Sequence, residues 1–318
     1  MVQVELFHIA SIFLISLIAS FVSLKYLMKR FRRKGIVVND YYKKAKTELI
    51  NMGGLGITFG IISGLVLSQI FSLDSIGNLL IFYFIVLTYG IFTLLDDLVD
   101  IGHRIKIIVP IFLSLPIALL INDTTIYLGF FELALGEIYL YIIAPLYIMV
   151  VANLVNMHSG FNGMQSGMST IILATIAIKS YFVYGLANLP FVLPILGAIL
   201  AFMYFNFYPS KIIEGNIGSF VVGSAIGGLL ILNNFELFGI IILIPHIVNF
   251  LLYFNLRIIL RKPFKKFGKV RSDGTIEAPY RSCLKWWVPY YFKADELKCS
   301  VSMYILTTVF CVIGLLLV

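Results

Sequence analysis

IFYFIVLTYGIFTLLDDLVDIG, residues 81–102, runs almost unbroken apolar to Leu95, then presents two adjacent carboxylates, Asp96 and Asp97, with Asp100 one helical turn on. A bilayer core of ~30 Å needs ~20 apolar residues per helical span. The stretch therefore reads as a membrane-crossing helix that delivers a pair of acids to the membrane surface. The rest of the chain agrees. Of 318 residues, 60% are hydrophobic and only 13% charged, with a mean hydropathy of +0.98, more than a soluble core of this size needs. The expected fold class is an all-α integral membrane protein of about ten transmembrane helices, with residues 1–318 forming a single polytopic domain. The spans fall at 5–27, 53–73, 79–95, 105–121, 137–155, 167–187, 189–207, 217–232, 236–256 and 300–318. The second is rich in glycine, which suits close helix contact.

Ten spans put alternate loops on opposite sides, so the cations test the assignment. The segments after spans 1, 3, 5, 7 and 9 carry nine, two, none, one and eleven Lys or Arg, which is 23 of the 24 and leaves only Lys179 opposite. By the positive-inside rule that face is cytoplasmic and both termini lie outside. The first span lacks a small-residue cleavage site followed by a soluble domain and reads as retained. Cys283, Cys299 and Cys311 have neither metal-ligand spacing nor a disulfide framework. Nucleic acid is not an expected partner, since Trp286, Trp287, Tyr290 and Tyr291 in the last basic loop read as interfacial anchors.

Four polar segments remain, all on the basic side: TLLDDLVDIGHRIK (93–106), NLVNMHSGFNGMQSG (153–167), NFYPSKIIEGNIGS (206–219) and RKPFKKFGKVRSDGTIEAPYRS (261–282). Carboxylates, carboxamides, glycines and cations gathered on one face of a bundle point to a site for a polar, anionic ligand. Each segment also has a plainer reading. Asp96 and Asp97 can be interface charges, or, with Asp100 at i+4 and i+3 and with Lys106, a cluster suited to Mg²⁺ or to a reacting phosphate. Asn153 and Asn156 can be helix caps, while Gly160, Gly163 and Gly167 would let backbone amides approach a ligand. His158 reads as a packed polar residue rather than a base. Lys211 and Glu214 are the only charges in their loop. Residues 125–143 begin with partial alternation, which predicts a short hairpin outside the membrane.

FTLLDDLVDIGHRIKIIVP, NLVNMHSGFNGMQSG, FYPSKIIEGNIGSF and PHIVNFLLY (245–253) together resemble the ordered motifs of the polyprenyl-phosphate N-acetylhexosamine-1-phosphate transferases. The likeness covers nearly the whole chain and is strongest to the branch with the eukaryotic dolichyl-phosphate GlcNAc-1-phosphotransferase. It implies a ten-helix enzyme that moves N-acetylglucosamine-1-phosphate, or a related amino-sugar phosphate, from a UDP-sugar to a polyprenyl or dolichyl phosphate. The products would be a lipid-linked diphosphate sugar and UMP, the first step of lipid-linked glycan assembly. It implies Mg²⁺ (or Mn²⁺) as cofactor, membrane lipid as surroundings and a homodimer as a common family state. The membrane would be the plasma membrane in a prokaryote or the endoplasmic reticulum in a eukaryote, with the active site facing the cytoplasm.

By the same resemblance Asp96 and Asp97 orient or deprotonate the lipid phosphate, and Lys106 meets the diphosphate. Asn156 is a metal ligand, and Gly160 and Asn162 contact uracil. Lys211 and, from the loop 257–298, Lys262, Lys265 and Arg271 supply cations for the substrate. Two departures stand out. Asn216 occupies the place of the family's acidic metal ligand, with Glu214 as a candidate substitute, and KPFKKFGKVR lacks the histidine and the bidentate arginines of an Arg-His-Arg clamp. Two alternatives stay open on the sequence: a transporter, and a chain of the same fold that has lost catalysis.

Overall fold

The computed structural model describes all residues except 1, 44–46, 72–75, 100, 103, 128 and 130. The chain is 71% helix. Helix α1 (Val2–Arg33) ends in Arg30, Arg32 and Arg33 and leads into an antiparallel hairpin, β1 (Val37–Asp40) with β2 (Thr47–Ile50). Helices α2 (Gly54–Ile70), α3 (Ile76–Val99) and α4 (Ile105–Ser114) follow, the last prolonged by a 3-10 turn to Leu119. A second hairpin, β3 (Thr125–Tyr127) with β4 (Glu132–Ala134), sits where partial alternation predicted one. Then come α5 (Ala144–Met157), α6 (Met164–Tyr184), α7 (Leu189–Asn206), α8 (Gly215–Leu232), α9 (Glu236–Ile242) and α10 (Ile244–Phe254). A small hairpin of β5 (Lys269–Val270) and β6 (Ile276–Glu277), the short α11 (Trp287–Tyr291) and α12 (Glu296–Leu317) complete the chain.

Each of the ten predicted spans coincides with helix. Among the described residues seven helical stretches are long and apolar enough to cross a bilayer, or eight if α9 and α10, bent by 68° at their junction, count as one span. The count of ten rests on two shorter apolar pieces, α2 and Ile105–Leu119. Their brevity has a local cause. In α2 the glycines at 56, 60 and 64 bring its backbone against α1 and α7: a Cβ on Gly60 would come 2.7 Å from the Ser16 carbonyl and 2.9 Å from the Ala198 Cβ. Such small-residue contact replaces lipid-facing length with helix packing. Pro110 inside α4 removes an amide donor from that helix.

Helices α7 and α8 are central, with 78% and 83% of their apolar windows buried, against 22% for α1 and 28% for α12. Accordingly Leu6, Phe7, Leu14, Ile18 and Val22 of α1 stay exposed on the outside, where a bilayer covers them. A second, smaller core lies apart from the bundle core. It joins Tyr42, Phe161, Ile276, Leu284, Trp286 and Met303. Trp286 is fully buried there, edge-on to Phe161 at 5.5 Å, so it is a core residue rather than the interfacial anchor expected; Trp287, Tyr290 and Tyr291 are exposed. The reason is the fold of residues 257–298, which packs on the bundle end instead of lying along the membrane. The three cysteines are free and buried.

Candidate active site

The connectors that follow α1, α3, α5, α7 and α10 meet at one end of the bundle around a cavity of about 420 Å³. The first and fourth of them are stitched together. Ile50 bridges Ile212 in parallel, Ile213 N–H donates to the Ile50 carbonyl at 2.8 Å, and the amides of Gly53 and Gly54 donate to the carbonyls of Ile213 and Glu214 at 2.9 and 2.8 Å. This frame sets Gly215 at the start of α8 directly over the end of α3. Its φ is +70°, and a Cβ there would lie 3.1 Å from Asp97 Oδ2 and 3.2 Å from Asn51 Oδ1. Glycine is required on both counts.

The two aspartates do different things. Asp96 is buried and fully engaged: Oδ1 takes the Lys106 ammonium at 2.9 Å and the Ile101 amide at 2.9 Å, and Oδ2 accepts from Asn216 Nδ2 at 3.1 Å. Asp97 lies on the cavity wall, its Oδ2 accepting from the Ile217 amide at 3.3 Å. Asn156 and Asn216 line the same cavity, and Asn156 Oδ1 accepts from the Ser219 hydroxyl at 2.8 Å. Glu214 lines it too. Burial raises the Glu214 carboxyl to about 7, even though part of the side chain opens onto the cavity. The amide at position 216 has a physical rationale, because it can donate to Asp96 where a carboxylate would repel it.

The opposite wall is the turn between α5 and α6. Gly160, at φ +137°, and Asn162 both line the cavity. Asn162 is tied to two distant elements, β1 and α12: its amide donates to Glu296 Oε1 at 2.8 Å, its Nδ2 to Asp40 Oδ2 at 3.3 Å, and its carbonyl accepts from the Ser300 hydroxyl at 3.0 Å. Lys43 closes the cluster with 2.7 Å to Glu296 and 3.8 Å to Asp40. His158, packed as expected, is fully buried and edge-on to His246 at 4.7 Å.

Six sequence-derived site residues thus share the cavity: Asp97, Asn156, Gly160, Asn162, Glu214 and Asn216. Others do not line it. Lys106 is drawn onto Asp96, Lys211 is exposed and joins the frame through its backbone, and Lys262 and Lys265 are exposed. Tyr280 holds the Lys265 backbone, its hydroxyl bonded to both N–H and carbonyl at 3.0 and 2.8 Å, and the next residue, Lys266, exposed like its neighbours, borders the cavity. Arg271 donates to the Ile276 carbonyl at 3.1 Å and borders a separate shallow basic depression with Tyr41, Lys43 and Lys269. Asp100 falls outside the described residues.

Residues 79–234 match the family model described as glycosyl transferase family 4. A protein of Sulfolobus acidocaldarius, provisionally named a UDP-N-acetylglucosamine–dolichyl-phosphate N-acetylglucosaminephosphotransferase, is 30% identical over 279 residues, 82% of this chain and 81% of that one. The chain belongs to glycosyl transferase family 4. A second family 4 relative, from Saccharolobus solfataricus and of the same provisional name, is 30% identical over 276 residues, 83% of this chain and 82% of that one. A Bacillus subtilis protein provisionally named an undecaprenyl-phosphate N-acetylglucosaminyl 1-phosphate transferase is 28% identical over 254 residues, covering 76% and 68%.

The matched family 4 region supplies Asp97, Asn156, Gly160, Asn162 and Asn216. It leaves out Asp40, Asn51, Lys266, Phe267 and Glu296, which complete the cavity. Sequence reasoning missed most of these for identifiable reasons. Glu296 opens α12 beside the Asp295 N-cap, whose side chain accepts from the Lys298 amide at 2.9 Å, so it reads as an ordinary acid at a helix start. Asp40 did carry a signal: it is the single acid among the nine cations of 25–47.

Proposed function

We propose that this family 4 enzyme transfers N-acetylglucosamine-1-phosphate from UDP-N-acetylglucosamine to a dolichyl-type polyprenyl phosphate at the cytoplasmic face of the membrane. The observation that carries this reading is the division of the aspartate pair. One acid is fixed in a buried ion pair, and its neighbour faces a polar cavity shared with Asn156, Asn162, Asn216 and Gly160. The relatives' names support the donor and acceptor. The orientation is supported by the cations, since the connectors around the cavity are those that carry 23 of the 24.

In the proposed reaction an oxygen of the lipid phosphate attacks the β-phosphorus of the donor. The bond from that phosphorus to the bridging oxygen breaks, and UMP leaves with the electron pair. Both reactants are anions, and two unit charges ~4 Å apart repel by ~1 kcal/mol in water and ~4 kcal/mol at the effective dielectric near a protein surface. The donor set suits a hard cation. Asp97, Glu214 and the amides of Asn51, Asn156 and Asn216 present only oxygen ligands, and no group of three or more His, Cys, Asp or Glu is close enough for a metal among the described residues. That fits Mg²⁺, which takes one or two carboxylates plus substrate phosphates. When bound it would supply charge neutralisation for the phosphates.

The chain's own residues do the rest. Asp97 fixes the approach of the acceptor, and a lipid phosphate already ionised at neutral pH needs no strong base. Asp96 holds Lys106 and Asn216 in register beneath it. Asn162 and the Gly160 backbone meet the nucleobase end, and Lys266 reaches the sugar or diphosphate. A transporter would carry charged side chains through its spans, whereas here Asp96, Asp97, Glu236 and Glu296 lie at helix ends.

Purified protein in lipid, given UDP-N-acetylglucosamine, polyprenyl phosphate and Mg²⁺, is expected to release UMP. If a folded preparation releases none from any UDP-sugar, the transfer reading fails. Asn216→Asp adds an anionic ligand and is expected to lower the Mg²⁺ concentration for half-maximal rate by about tenfold. An unchanged requirement would remove residue 216 from the metal site.

A further inference from the structure

Lys285 belongs to none of the motifs used above, yet it is buried, at 4% exposure, in the fold of residues 257–298. Its ammonium donates to the Ser159 carbonyl at 3.1 Å and to the Lys266 carbonyl at 3.4 Å, and lies 4.9 Å from the centroid of the Trp286 ring. Ser159 and Lys266 are both on the cavity wall, one in the α5–α6 turn and one in the last connector. No ion pair among the described residues includes Lys285. The ammonium packs against Gly160, itself a cavity-lining residue, where an added Cβ would collide with Nζ. That collision and the φ of +137° together explain glycine at this position.

A buried cation is costly unless it is compensated. Burial lowers the Lys285 ammonium to about 8, with the Cys283 thiol opposing and Lys266 adding to the fall, which leaves it protonated at neutral pH. Packing alone would be served as well by an apolar side chain of this length. Two features of the site do require an ammonium. It joins two carbonyls from walls 107 residues apart (266 less 159), and it places an uncompensated positive charge immediately behind the surface that would receive an anion.

We infer that Lys285 is a positioning residue that braces the Ser159–Asn162 wall against the Lys266–Phe267 wall and so sets the affinity of the cavity for the nucleoside diphosphate half of the donor. The inference rests on the transfer reading for the identity of that ligand. Lys285→Met keeps the length and removes both hydrogen bonds and the charge. In full-length protein in detergent it is expected to weaken UDP binding, read by titration calorimetry, by about tenfold or more. The KM for the UDP-sugar should rise in parallel, while kcat and the KM for polyprenyl phosphate stay within about twofold. Lys285→Gln, with a donor but no charge, should fall between Lys285→Met and wild type, and Lys285→Arg should restore most of the affinity.

UDP affinity unchanged in a folded Lys285→Met protein overturns the brace. So does a uniform loss, in all three variants, of thermal stability, UDP affinity and lipid-phosphate affinity together, since that is what a packing residue would give. Wild-type protein that binds UDP yet never releases UMP would sink the transfer reading and leave the brace standing.

Discussion

Asp97→Asn slows UMP release by about a hundredfold or more, the scale of loss when one preorganised charged contact is removed from a reacting centre, while the thermal unfolding midpoint holds. The expectation follows from where the carboxylate is. Asp97 lies on the cavity wall, accepts a 3.3 Å hydrogen bond from the Ile217 amide and is favoured by the Asn216 amides; it belongs to no ion pair among the described residues, so an isosteric amide breaks none. What would be lost is an anionic oxygen donor for the cation that, in the proposed reaction, would neutralise the acceptor phosphate, and misplacement by an ångström is enough to cost orders of magnitude in rate. Single-turnover UMP release in nanodiscs is the measurement. A near-normal rate would exclude Asp97 from the chemistry.

Its neighbour gives the opposite phenotype. Asp96→Ala removes the carboxylate that takes Lys106, the Ile101 amide and Asn216 at once. Breaking a fully buried pair costs about 3–5 kcal/mol, and because the Lys106 side chain keeps 25% exposure the expected loss is about 2–4 kcal/mol. The readout is the unfolding midpoint in detergent. Two adjacent aspartates that differ in this way, one controlling rate and the other stability, would distinguish the arrangement from a symmetric pair; equal midpoints for both variants would not fit it.

Much of the fold was legible because the signal was physical and local. Apolar runs long enough for a bilayer located the helices, and the one-sided distribution of Lys and Arg named the connectors that meet at the cavity. Three of the motifs carry Asp97, Asn156, Asn162 and Asn216, which the fold brings to one cavity. The remainder was not local. Nothing in the sequence says that Lys106 pairs with Asp96, or that Lys266 rather than Lys262 or Lys265 borders the cavity, because the Tyr280 hydroxyl that holds the Lys265 backbone comes fifteen residues later. Trp286 was misread for the same reason. A tryptophan in a basic loop beside a membrane has two good environments, and only the packing of Tyr42 and Phe161 from elsewhere in the chain selects the buried one.

Asn162 takes its backbone partner from Glu296, 134 residues later, and that late partner has a consequence for biogenesis. During synthesis α3 and α5 enter the bilayer and bring the aspartate pair and the α5–α6 turn to its surface long before α12 leaves the ribosome. Until it does, the turn lacks its Glu296 and Ser300 partners and the cavity lacks Glu296. A nascent chain is therefore expected to hold an incomplete cavity until α12 docks.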